Sequence, residues 1–117
     1  MQLAKIKDCL KCQIISQNID LNLDIQFAYA SDLMSDVLLL AKPGALLLTG
    51  LANNHTIRTG KIAASSAIVF VRGKKPPETA VKLAVEYQIP ILATELSMFD
   101  ACGILFSNGI KGITIKK

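Results

Sequence analysis

The 117 residues are 51% hydrophobic and 19% charged, which suits one packed core and is too apolar for a disordered chain. Thirteen Lys and Arg against nine Asp and Glu leave a net charge of +4, with the lysines scattered rather than massed, so no footprint for nucleic acid stands out. Val37 to Leu48, the greasiest stretch, is broken by Lys42-Pro43-Gly44 and cannot cross a bilayer, and residues 1–17 hold no apolar signal core. Three cysteines, an odd number without secretory features, point to reduced thiols and a cytoplasmic setting.

Leu3, Ile6 and Leu10 recur at helical spacing and predict a short opening helix. Cys12 to Ser16 reads as a first strand and Asn18-Ile19-Asp20 as a turn. Leu21, Leu23, Ile25, Phe27 and Tyr29 then alternate with mostly polar neighbours, the pattern of a strand with one buried face. Ser31 or Asp32 is placed to cap a helix reaching about Ala41, with Leu33, Met34, Val37, Leu38 and Ala41 as its buried stripe. Ala45 to Thr49 is an apolar run closed by Gly50, as expected of a fully buried strand.

A rhythm follows. A helix leads to a strand at Ala67 to Val71 that ends at Arg72-Gly73. A second helix starts at Pro76-Pro77-Glu78, with Ala80, Val81, Leu83, Ala84 and Tyr87 on its core side, and a third strand covers Ile91 to Thr94. Strand ends at Thr49, Arg72 and Thr94 are nearly evenly spaced, which predicts strand–helix–strand units with parallel strands. Ser97-Met98-Phe99-Asp100 opens the last helix, with Phe99, Cys102, Leu105 and Phe106 as its apolar stripe and Gly109 at a left-handed C-cap. Ile113 and Ile115 alternate as a possible edge strand. The whole reads as a single three-layer α/β/α domain with a mainly parallel sheet.

From about Tyr29 to Ile110 the chain resembles the DRTGG domain family, in its small stand-alone form. The words that carry the resemblance are Ala30-Ser31-Asp32-Leu33-Met34-Ser35-Asp36-Val37, Pro43-Gly44-Ala45-Leu46-Leu47-Leu48-Thr49-Gly50-Leu51 and Ile57-Arg58-Thr59. They continue in Ala67-Ile68-Val69-Phe70-Val71-Arg72-Gly73-Lys74-Lys75-Pro76, Ile89-Pro90-Ile91-Leu92-Ala93-Thr94 and Leu96-Ser97-Met98-Phe99-Asp100-Ala101-Cys102-Gly103. The Asp-Arg-Thr-Gly-Gly string itself is absent, and its echo Arg58-Thr59-Gly60 falls inside a predicted helix. The resemblance extends in fold to the N-terminal domain of HPr kinase/phosphorylase. It implies a regulatory or dimer-forming role, as for members attached to CBS domains and pyrophosphatases.

Kinase chemistry is testable in the residues. A phosphate-cradling loop needs Gly-x-x-x-x-Gly-Lys-Ser/Thr. Gly60-Lys61 has His55 and Ile62 at the other required places, and Gly73-Lys74 has Ile68 and Lys75, so neither qualifies. No catalytic constellation and no cofactor are implied.

Ligands in open α/β sheets bind at the carboxyl ends of strands, and helix starts there favour anions. Ser31, Asp32, Thr49, Gly50, Asn53, Asn54, Arg72, Gly73, Thr94 and Ser97 fall at those places and form the candidate ligand-binding set, with Lys74 and Lys75 adding charge. The expected partners are a small anionic ligand, a second copy of the chain, and an unidentified protein. Asp32 and Asp36, four apart, could pair on a metal but also suit a helix dipole. Cys9-Leu10-Lys11-Cys12 carries the alternative reading, a small thiol-redox or metal-binding protein using Cys9 and Cys12, although it sits at a helix end where the dipole raises a thiol pKa. His55, the lone histidine, reads as a solvated helix-start residue.

Overall fold

The strands β3 (Leu46–Thr49), β4 (Ala67–Phe70) and β5 (Ile91–Ala93) are buried at every position, as continuous apolar runs require when helices cover both faces of a sheet. The computed structural model describes residues 1–16 and 19–114. Its other elements are α1 (Leu3–Leu10), β1 (Gln13–Ile14), β2 (Phe27–Ala30), α2 (Met34–Leu39), α3 (Asn54–Ile62), α4 (Glu78–Glu86), α5 (Met98–Ser107) and β6 (Lys111–Gly112). The sheet order is β1-β5-β4-β3-β2-β6, with β1 antiparallel to β5 and every other pairing parallel.

Handedness follows from that order. β2, β3, β4 and β5 step across the sheet in one direction, so right-handed crossovers put α2, α3 and α4 on one face. The return from β5 to β6 runs the opposite way and carries α5 to the other face, against α1. The three-layer α/β/α arrangement read from the sequence is therefore the observed one. Alternate strand residues feed two cores: Leu46, Leu48, Val69 and Leu92 face α1 and α5, while Leu47, Ile68, Phe70 and Ile91 face α2 to α4.

Four local expectations are corrected. The alternating stretch from Leu21 to Tyr29 becomes a strand only at Phe27. Before that, the Leu21 and Leu23 carbonyls accept hydrogen bonds from the Ala4 and Leu3 amides, both at 2.9 Å, satisfying the open start of α1. The segment turns at Leu21-Asn22 and then crosses the helix end, with a single antiparallel bridge between Asp24 and Gln2 in place of a ladder.

The second correction concerns α2. Leu33 is its N-cap, and neither Ser31 nor Asp32 caps it. Only Met34 and Val37 of the expected stripe are buried, and the helix stops at Leu39. Third, α5 buries Ala101 and Leu105 and turns Phe99 and Phe106 outward. Last, the edge strand is Lys111–Gly112, ahead of Ile113; Asn18 and Ile115 lie outside the described residues.

The end of α5 follows expectation closely. Gly109 has φ +99°, the Ile110 amide donates to Leu105 at 3.1 Å and the Gly109 amide to Phe106 at 3.1 Å. That pair of bonds is the Schellman arrangement, and Ile110 folds back into the core.

Candidate anion-binding site

Asp32 follows β2, Thr49 and Gly50 close β3, and Arg72 follows β4, so three parallel strands deliver these residues to one edge of the sheet. The Asp32 carboxylate gathers them. Its Oδ1 accepts from the Gly50 amide at 2.7 Å and from the Thr49 hydroxyl at 3.0 Å, and its Oδ2 accepts from Arg72 Nη2 at 3.3 Å. The Gly50 amide above all, with Thr49 and Arg72, holds the Asp32 carboxyl below its ordinary range against an opposing push from burial.

Arg72 reaches this position through an unusual backbone. Its φ is +60°, in the left-handed region, and Gly73 follows at +69°. Lys11, Ala64 and Gln88 also have positive φ, but each terminates a helix. Arg72 instead lies in the turn after β4, a strained place for a side chain that a surrounding structure must enforce. The enforcement is visible: the Arg72 amide donates to Leu96 at 2.8 Å and the Gly73 amide to Thr94 at 2.9 Å, tying the turn to the segment after β5. The guanidinium lies directly over Gly50, where a β-carbon would collide with it, and its side chain stays 43% exposed.

The remaining candidates serve the fold. Ser31 Oγ accepts from the Leu33 amide at 3.0 Å, closing a local turn. Asn53 caps α3 by accepting from the Thr56 amide at 2.9 Å, and Ser97 caps α5 by accepting from Asp100 at 3.1 Å. Asn54 accepts from the Thr79 hydroxyl at 3.1 Å, linking α3 to α4. Thr94 is buried and donates to the Leu10 carbonyl at 2.6 Å, so it pins the end of α1. Of ten candidates, the structure thus joins Asp32, Thr49, Gly50 and Arg72 in one network, with Gly73 supporting it.

Burial pushes the Cys12 thiol up to about 11, with Lys7 offsetting only part. A reactive thiol needs the opposite shift, so Cys12 lacks the electrostatics of a redox nucleophile. Asp36 stays exposed on α2 while Asp32 turns toward β3. Among the described residues, no group of three or more His, Cys, Asp or Glu is placed to hold a metal ion, and no helix is long and apolar enough to cross a membrane.

Two features escaped the sequence reading. A cavity of about 550 Å³ opens at the opposite end of the sheet, among Ser16, Asp20, Ser65, Gln88 and Pro90. An apolar groove of about 390 Å³ runs beside Phe99, Gly103 and Phe106. The signal for the groove was present in the two phenylalanines, seven residues apart, but apolar spacing alone does not say which way they point.

Fold and site together define a three-layer α/β domain with a charged network at the carboxyl ends of its parallel strands. The fold is similar to the crystal structure of the CBS and DRTGG domains of the regulatory region of a Clostridium perfringens pyrophosphatase, complexed with its activator, diadenosine tetraphosphate. The TM-score is 0.70 at 14% sequence identity, over 89% of this chain and 45% of that chain. That likeness shows a shared fold; this chain spans less than half of the chain it matches. No family model and no curated protein matches the sequence.

Proposed function

We propose that this chain is a non-catalytic, homodimeric regulatory domain of the cytoplasm that senses a small anion at the Asp32–Arg72 network. The observation that carries the reading is Arg72: a half-exposed guanidinium held in a left-handed turn over Gly50, with one nitrogen spent on Asp32. Left-handed strain at a non-glycine residue in the turn after a strand is the kind of feature that binding sites retain.

An incoming phosphate or carboxylate competes with Asp32 for the guanidinium, which offers a planar fork to two oxygens at once. Lys74 and Lys75 follow in the same turn and add to the attraction. Binding would loosen Asp32 from Arg72 and so alter how the β2–α2 connection is tied to β4. A phosphate-bearing ligand is supported by the activator in the similar regulatory region. Dimerisation is supported by an apolar content high for so short a chain and by the exposed phenylalanines of α5.

Isothermal titration with inorganic phosphate, pyrophosphate and ATP tests the site, alongside native mass spectrometry for co-purified ligand and subunit number. We expect at least one probe to bind and its affinity to fall tenfold or more in Arg72→Ala. Absence of binding at millimolar concentrations, or equal binding by Arg72→Ala, would sink the reading.

A further inference from the structure

Helix α5 is apolar on two faces, and its own fold covers one of them. Ala101 and Leu105 are 0% and 1% exposed, whereas Phe99 and Phe106 stand 86% and 74% exposed. Gly103 lies between them on the outward face at helical spacing, and a β-carbon added there would meet nothing within 4 Å. Grooves flank this ridge on both sides. One, of about 390 Å³, is walled by Ala28, Leu48 and Ile110; the other, of about 450 Å³, passes Leu96 and Ile104. The other exposed apolar residues, such as Leu39, Ile62 and Val85, are spread over the α2–α4 layer.

We propose that this face is the dimer interface, occupied by α5 of a second copy packed antiparallel. The proposal rests on the homodimeric reading above and names its surface. A twofold axis beside Gly103 brings each Phe99 to Phe106 of the second copy, because they lie four and three residues to either side of the glycine. The glycines allow close approach at the crossing, and the ring pairs close its two ends in stacked or edge-to-face contact.

Charge agrees with this pairing. Antiparallel helices oppose their dipoles, and the start of one, with Asp100, meets the end of the other, which Lys111 follows. Stable interfaces bury about 1,200–2,000 Å² in total. The four exposed rings of a symmetric pair supply roughly 600 Å² of that, and the groove walls add to it.

Sedimentation velocity across the micromolar range reads the mass directly. We expect a dimer for the natural sequence and a tenfold or greater weakening of association in both Gly103→Arg and Phe99→Asp. Neither substitution touches the core, so both variants should keep the natural circular dichroism spectrum. A dimer that survives both changes overturns the assignment of α5 while the homodimeric reading stands. A natural protein that stays monomeric throughout overturns both.

Discussion

The guanidinium of Arg72 rests on Gly50, so close that only a residue without a side chain can lie beneath it. Gly50 also donates its amide to Asp32, the carboxylate that holds the same guanidinium. One glycine therefore supplies both the floor and a fastening of the network. Gly50→Ala should displace the far end of Arg72, which is flexible, and break its pairing with Asp32. Because that ion pair is exposed, the stability cost should stay below about 1 kcal/mol, while phosphate affinity shifts because the guanidinium leaves its place over Gly50. Chemical denaturation and titration on the same preparation would separate the two effects, and an unchanged affinity would show that the seat of Arg72 on Gly50 does not set binding.

The Asp32 carboxyl is held below its ordinary value of 3.8 in the folded protein. A lowered carboxyl pKa stabilises the fold above the unfolded value, and that contribution fades as the pH falls through the depressed folded value. Asp32→Asn should therefore be less stable than the natural protein near neutrality. The gap should close as the pH falls through the depressed folded value, below which both side chains are neutral. Thermal melts across an acid series check this; a gap that persists undiminished in strong acid would assign the effect to packing instead of charge.

Gly60 lies in α3 against β4, where a β-carbon would stand 2.8 Å from Ile68 Cδ1. Ile68 is fully buried, so the crowded methyl has nowhere free to go. Overpacking costs about 1–3 kcal/mol, and alanine returns up to about 1 kcal/mol in helix propensity. Gly60→Ala should thus lose about 1–2 kcal/mol in urea denaturation without change in the slope. A stabilised variant would mean that α3 can shift away from the sheet.

Thr94 donates to the Leu10 carbonyl, one of the acceptors that the end of α1 leaves without an internal partner. Thr94→Val keeps the shape and removes the donor, leaving that carbonyl unsatisfied in a buried place. The expected cost is about 1–3 kcal/mol. Hydrogen exchange should rise first in α1, and uniform acceleration across the sheet would contradict a local pinning role.

Features set by neighbours along the chain were legible in the sequence. The Ser97 cap, the Gly109 turn and the nearly even spacing of the parallel strands proved real, with β4 and β5 ending at Phe70 and Ala93 rather than Arg72 and Thr94, because capping and crossover lengths depend on a few adjacent residues. The three-layer architecture followed from that spacing. Asp32 and Phe99 were misread for one shared reason. Asp32 had a nearby helix to cap, yet it is drawn to donors 17, 18 and 40 residues away, and three donors outweigh one local turn.

The apolar residues of α5 show the same boundary from the other side. Periodicity marked Phe99, Cys102, Leu105 and Phe106 as a stripe, but a helix apolar on two faces gives no local sign of which one meets the sheet. The direction was decided when the return from β5 to β6 set α5 against α1, burying Ala101 and Leu105 and leaving the phenylalanines outside. The sequence by itself determined the order of elements, the caps at Ser97 and Gly109 and the apolar strands. Tertiary structure alone decided which strand ends meet at Arg72 and which face of α5 stays open, because both depend on contacts between residues far apart in the chain.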